Sequence, residues 1–263
     1  MAAMKTSGGV AVEFDVTGHG PPVVLVHGIT ESRRTWDPLI GPLAAGHTVV
    51  AADLRGHGQS GPGQRYDLDS MAADVHDVVD SLGLGAPLLV GHSLGGTVVT
   101  AYAAAFGARG VVNVDQSLAL ADFQDGVRQL EPMLRGERAD FERAITLVFE
   151  QLAGQLSGGE RDRVEALRRP SQPVVLGVWS ILLESTSDEV DAAVRDIATR
   201  VAAPYLSLHG ADPGPGYGAW LRSLIPEAVV EVWPDVGHYP HLVHPDRFLA
   251  RLASFEASLA PAR

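Results

Sequence analysis

The chain has 263 residues, 46% of them apolar, with no cysteine and a formal net charge of −12. That length suits one large α/β domain or two small ones, either with a sizeable core. The missing cysteine excludes a disulfide framework, a thiolate nucleophile and a zinc–thiolate site, and the acidic balance argues against nucleic acid, which needs a basic face. Nowhere do 18 apolar residues run together, so no membrane span is expected. The amino terminus carries no apolar segment of an export signal, and a cytoplasmic protein is the expectation.

Val10, Val12, Phe14 and Val16 alternate with smaller or polar residues, the period-2 pattern of a half-buried strand, which Gly18-His19-Gly20-Pro21-Pro22 ends as a turn. Val23 to Val26 is a continuous apolar run, as a parallel strand covered on both faces requires, and His27-Gly28-Ile29-Thr30 closes it. From Glu31 to Ala45, Trp36, Leu39, Ile40 and Leu43 fall near helical spacing, broken by Pro38 and Pro42. Thr48 to Asp53 is another buried strand and runs into the glycine-punctuated loop Leu54 to Ser60. Ser70 is expected to cap a helix reaching about Leu82, with Met71, Val75, Val78, Val79 and Leu82 inward and Asp74, Asp77 and Asp80 outward.

The next stretch organises the rest. Leu88-Leu89-Val90 reads as a buried strand and Thr97 to Phe106 as a helix, with Gly91-His92-Ser93-Leu94-Gly95 between them. A strand that turns at once into a helix strains the corner residue, and small neighbours let the backbone pass. Ser93 is thereby exposed at the strand's end, and the Leu94 N–H lies at a helix N-terminus, where negative charge on a substrate oxygen is favoured.

Val111 to Asp115 is again a strand, so strands and helices alternate from Val23 to Asp115 and imply a parallel sheet with right-handed crossovers. Ser117 to about Arg200 holds only amphipathic helical stretches: Leu118 to Leu134, Ala139 to Leu156, Glu160 to Arg168, Val174 to Leu183 and Asp188 to Val201. Strands resume at Pro204 to His209 and Val229 to Trp233, and a helix from about Pro245 to Leu259 closes the chain. The expected fold is a mostly parallel α/β sheet flanked by helices, with a core of residues 1–116 and 202–263 and a helical cap of residues 117–201 over the strand ends.

Four motifs, in order, resemble the α/β-hydrolase family over nearly the whole chain: His27-Gly28 after a strand, Asp53-Leu54-Arg55-Gly56-His57-Gly58-Gln59-Ser60 after the next, the Gly91 to Gly95 elbow, and Gly237-His238 after the last strand. The capped subgroup is the nearest in pattern, with its carboxylesterases, cofactor-free haloperoxidases and carbon–carbon bond hydrolases. Serine at position 93 argues against the members that use an aspartate nucleophile.

A serine hydroxyl needs a base within hydrogen-bond reach, itself oriented by a third group. The resemblance places Ser93 as nucleophile and His238 as base. For the orienting acid, Asp212 is expected, because it follows the strand from which most members supply it and keeps the chain order Ser, Asp, His. Its loop is one residue shorter than the family's, and Asp115, ending the strand after the elbow helix, is the alternative. The backbone N–H groups of Leu94 and Ile29 would form the oxyanion hole. His27, His57 and His92 are expected to fix loops. The trio His238, His241 and His244 has the spacing of metal ligands, but Pro240 and Pro245 prevent one helix from aligning it, so His241 and His244 are expected at the surface or hydrogen-bonded in a loop.

The implied activity is hydrolysis of a carboxylic ester of a small or medium hydrophobic acyl group through an acyl-enzyme, with a small-molecule ester as partner and neither cofactor nor metal. A carbon–carbon bond hydrolase, lactonase, thioesterase, perhydrolase or haloperoxidase would share the same triad, and a ligand receptor would share the fold. Phe123, Met133, Leu147, Phe149, Trp179 and Leu183 are the candidates to line the acyl pocket.

Overall fold

The computed structural model describes residues 2–259. Eight strands form one sheet: β1 (Ala2–Lys5), β2 (Ala11–Thr17), β3 (Pro22–Val26), β4 (Thr48–Ala52), β5 (Leu88–His92), β6 (Gly110–Val114), β7 (Tyr205–His209) and β8 (Ala228–Val232). Their spatial order is 1-2-4-3-5-6-7-8. The pairs β1·β2 and β2·β4 are antiparallel, and every pairing from β4 to β8 is parallel.

Helices α1 (Asp37–Ala44), α2 (Leu68–Ser81) and α3 (Leu94–Phe106) alternate with the strands. Six more follow β6: α4 (Ala121–Leu134), α5 (Arg138–Leu152), α6 (Gly158–Leu167), α7 (Gln172–Val178), α8 (Ser180–Glu184) and α9 (Ser187–Ala198). The chain ends with α10 (Tyr217–Leu224), α11 (Pro240–Val243) and α12 (Pro245–Ala257). This is a mostly parallel α/β sheet with flanking helices, as the alternation of patterns implies.

The two-residue period of the strands sorts the core into two layers. Val23, Leu25, Leu88 and Val90 pack with Leu39 and Leu43 of α1 and with Phe248, Leu252 and Phe255 of α12. Val24, Val26 and Leu89 face the other way, against Val75 and Val78 of α2 and Val98, Val99 and Tyr102 of α3. Strands β5, β6 and β7 are buried along their whole length, which fixes the height at which their C-terminal ends open.

Three local expectations change. Residues 2–5, which show no alternation, form an edge strand through pairing with β2. The cap of α2 is Asp67, whose carboxylate accepts the Ser70 N–H at 2.9 Å, so the helix starts at Leu68. Asp74 points inward: it is 2% exposed and accepts hydrogen bonds from Arg55 Nε and Thr6 Oγ1, both at 2.7 Å. Charge alone placed it outward, and a guanidinium from a distant loop makes burial tolerable.

Candidate active site

The site lies at the C-terminal ends of β3, β5, β6, β7 and β8. Ser93 sits at the corner between β5 and α3 with φ 52° and ψ −124°, a conformation that costs a non-glycine residue about 1–3 kcal/mol. Glycine makes the corner possible. A Cβ on Gly91 would lie 2.1 Å from the Gly95 carbonyl oxygen, and one on Gly95 would lie 2.1 Å from that of Val26. The Ser93 N–H is held by the Val114 carbonyl at 3.0 Å. Its half-buried hydroxyl takes no side-chain hydrogen bond among the described residues and opens on a cavity.

His238, in the loop after β8, lines the same cavity and is 7% exposed. Its N–H donates to the Leu152 carbonyl at 3.0 Å, and its carbonyl accepts Nε2–H of His92 at 2.8 Å. Its Nδ1–H donates to Asp115 Oδ2 at 2.7 Å. That bond fixes the tautomer: the proton on Nδ1 leaves Nε2 free to accept another. The other Asp115 oxygen accepts the Gly210 N–H at 2.6 Å. Burial alone would raise the Asp115 carboxyl, but the His238 hydrogen bond and charge, with the Gly210 N–H, hold it below its ordinary value.

The expected acid, Asp212, is not on His238. It is exposed at the cavity rim, where its carboxylate accepts the Gly214 N–H at 2.9 Å. In the short loop after β7, Gly210 is already tied to Asp115, and the chain has turned outward by the time it reaches Asp212. Asp115 instead takes φ 54°, folding back at the end of β6. Four non-glycine residues have positive φ among those described, and three of them, Thr30, Ser93 and Asp115, lie in or beside this site.

Ile29 and Leu94 both line the cavity next to Ser93. Leu94 is the first residue of α3, and neither its N–H nor that of Ile29 is taken by an acceptor among the described residues. Two free donors therefore flank the hydroxyl.

The remaining histidines act on loops. His27 gives Nδ1–H to the Gly28 carbonyl at 2.7 Å and accepts the Leu54 N–H at 3.0 Å, stitching the ends of β3 and β4. His57 packs on His27 with ring centroids 5.3 Å apart. Burial and the neighbouring His27 push its imidazole down to about 4, so it is neutral at pH 7. His241 departs from expectation: it is fully buried, its nitrogens have no hydrogen-bond partner among the described residues, and its ring lies tilted against those of Trp36 and His92, with centroids 4.7 and 4.6 Å away. Burial drives it well below the ordinary imidazole value. His244 lies against Trp233.

The cavity measures about 280 Å³, just below the roughly 300–1,000 Å³ of ligand sites. Its wall away from the strands is apolar and comes from the inserted helices: Phe123 of α4, Val148, Phe149 and Leu152 of α5, and Trp179 and Leu182 around α8. Leu147, Met133, Leu183 and Trp36 do not line it. Leu147 is 40% exposed, one helical step away from the wall. No lysine or arginine lines the cavity among the described residues. Four polar residues there were not among the candidates: Thr97, Gln116, Ser117 and His209 at the end of β7, whose Nε2 pairs with Ser207 Oγ at 2.7 Å. An imidazole at the C-terminal end of a buried strand, two residues after Ser207, is the signal that could have marked His209.

Residues 23–251 match the profile of the alpha/beta hydrolase family. An uncharacterized protein of Mycobacterium tuberculosis is 38% identical over 39% of this chain, and the match spans 30% of that protein's length. A pimeloyl-[acyl-carrier protein] methyl ester esterase of Chromobacterium violaceum is 30% identical over 91% of this chain and 95% of its own. A non-heme haloperoxidase of Rhodococcus erythropolis is 28% identical over 97% and 99%. Among solved structures, an esterase from Rhodococcus sp. ECU1013 superposes with a TM-score of 0.73 at 26% identity, covering 98% of this chain and 99% of that one.

Proposed function

Since the chain belongs to the alpha/beta hydrolase family, we propose that it is a serine hydrolase cleaving carboxylic esters of small or medium apolar acids, with Ser93, His238 and Asp115 as its triad. One observation carries this reading: a serine at a strained strand-to-helix corner shares a cavity with two unclaimed backbone N–H groups and a histidine whose Nδ1 is held by a half-buried carboxylate.

In the first step Ser93 Oγ attacks the ester carbonyl carbon as its proton passes to His238 Nε2. Asp115 stabilises the imidazolium through Nδ1–H, and the carbonyl oxygen, now anionic, is received by the Leu94 and Ile29 N–H groups. The tetrahedral intermediate expels the alkoxide, which takes the proton from Nε2. Water then attacks the acyl-enzyme by the same route and regenerates Ser93. The apolar wall and the lack of a lining cation favour an uncharged acyl chain, and the helices of residues 117–201 serve as its cap.

The test is hydrolysis of a 4-nitrophenyl ester series by the wild type, Ser93→Ala, His238→Ala and the double variant. Each single change should cost about three to six decades in kcat, and the double variant should be scarcely worse, because the triad acts as a unit. A fluorophosphonate should label Ser93 stoichiometrically. Labelling at another residue, or ester turnover that survives Ser93→Ala, would overturn the assignment.

A further inference from the structure

Behind the triad lies a second set of buried polar groups that the hydrolytic steps do not use. Glu31 is 2% exposed and Tyr239 and His92 are fully buried. Glu31 Oε2 accepts the Gly28 N–H at 3.2 Å, and Glu31 Oε1 accepts the Tyr239 hydroxyl at 2.8 Å. The Nδ1 of His92 stands 3.4 Å from Glu31 Oε2 with no directed hydrogen bond of its own, while its Nε2 holds the His238 carbonyl. From the inserted helices, Arg168 donates to the Tyr239 hydroxyl at 2.7 Å and lays its guanidinium 3.7 Å from the centre of the Phe149 ring, which walls the cavity. The next residue, Arg169, gives its N–H to the Thr30 carbonyl at 2.9 Å.

We propose that Glu31, Tyr239 and Arg168 form a positioning relay that holds the Gly28–Ile29 turn at the height where the Ile29 N–H meets the oxyanion, and ties that turn to the Phe149 wall of the acyl cavity. The inference rests on the serine-hydrolase reading above and adds three residues to it, none of which touches the substrate's reacting atoms.

A buried carboxylate requires partners that stand in for water. Taking a charge out of water costs several kcal/mol unless partners replace the solvent, and for stability alone a well-packed apolar side chain would serve as well or better. A carboxylate at this point does something an apolar side chain could not: its two oxygens must be met by donors from the oxyanion turn and the base loop, with the elbow histidine alongside. Those three loops come from the ends of β3, β8 and β5, and they present the Ile29 donor, the base and the nucleophile respectively. Thr30, just before Glu31, has φ 64°, so the turn is in a conformation that outside constraint must maintain. The Arg169-to-Thr30 bond and the Gly28-to-Glu31 bond supply that constraint from both sides. A donor displaced by a fraction of an ångström loses much of its worth to the oxyanion while ground-state binding is little affected.

The measurement compares wild type, Glu31→Gln, Tyr239→Phe and Arg168→Met on 4-nitrophenyl butyrate, with thermal midpoints recorded for each. Glu31→Gln and Tyr239→Phe should each lower kcat about 10- to 100-fold with KM within about threefold, and the pair combined should be little worse than either. Affinity for an alkyl trifluoromethyl ketone, whose serine adduct carries the oxyanion, should fall by the same factor as kcat/KM. The matching secondary alcohol, which forms no oxyanion, should bind all variants alike. Arg168→Met should show a weaker form of the same split. A lowered thermal midpoint with unchanged kcat, or equal losses for ketone and alcohol, would overturn the relay. Should Glu31→Gln fail to fold, Tyr239→Phe, which removes one hydroxyl without adding volume, decides alone by the same criteria. Absence of ester turnover by the wild type would instead refute the hydrolase reading, so the two failures are separable.

Discussion

Replacing Asp115 by asparagine probes the proposed acid of the triad without changing its shape. In the native site one carboxylate oxygen accepts from His238 Nδ1 at 2.7 Å and the other from the Gly210 N–H at 2.6 Å. An amide can satisfy both neighbours in only one way: its oxygen on Gly210 and its NH2 on His238. That orientation puts the imidazole proton on Nε2, the atom that must take the proton of Ser93. The flipped orientation restores the tautomer but sets NH2 against N–H, a clash worth about 1–3 kcal/mol. Loss of the charge-assisted bond to the imidazolium adds about 1.5–3 kcal/mol. Together these raise the barrier by roughly 2.5–6 kcal/mol, or about 10² to 10⁴ in kcat at 1.36 kcal/mol per decade. Asp212→Asn should stay within about twofold of wild type, because among the described residues that exposed carboxylate takes a hydrogen bond from the Gly214 N–H alone. The assay is kcat on 4-nitrophenyl butyrate for both variants, with thermal midpoints as a check on folding. A near-native Asp115→Asn, or a larger loss from Asp212→Asn, would refute the reasoning and return the acid's role to the loop after β7.

Phe149→Ala should deepen the acyl pocket and raise kcat/KM for octanoyl relative to butanoyl esters by about tenfold or more, since each methylene accommodated is worth about 1–3 kcal/mol; Leu147→Ala, on the solvent side of the same helix, should leave the ratio unchanged. Gly91→Ala should lower stability by about 3 kcal/mol in urea titration, because its methyl would meet the Gly95 carbonyl; a native midpoint would mean the elbow can open. Glu31 should contribute to acid sensitivity. Burial would raise its carboxyl, yet the adjacent His92 and the Tyr239 hydroxyl hold it well below the ordinary 4.5. A depressed carboxylate stabilises the fold above its unfolded value and loses that contribution as pH falls toward its folded one. The stability gap between wild type and Glu31→Gln should therefore be widest above about pH 5 and narrow steadily below about pH 4, and a gap independent of pH would contradict the assignment.

What could be read from the sequence is what local sterics and periodicity dictate. The corner at Ser93 is a property of five consecutive residues, because only small side chains at 91 and 95 let a strand pass directly into a helix. The order of strands follows from buried apolar runs that alternate with amphipathic helices, and the family motifs placed Ile29, Leu94 and His238 around the corner where the structure has them. What needed the tertiary structure is every choice that depends on two distant segments meeting. Asp115 and Asp212 follow neighbouring parallel strands, and each is one loop from His238; the left-handed turn at Asp115 brings its carboxylate onto His238, while Asp212 lies exposed in the loop after β7. The interior positions of Asp74, Glu31 and His241 were equally hidden. A charge can go inside only where partners meet it, and those of Asp74 are Arg55 and Thr6, while those of Glu31 are Gly28, His92 and Tyr239. His241 is packed by tilted ring contacts with Trp36 and His92 and takes no hydrogen bond among the described residues. The strand formed by residues 2–5 follows the same rule, since nothing in four residues without alternation specifies a strand until β2 offers an open edge.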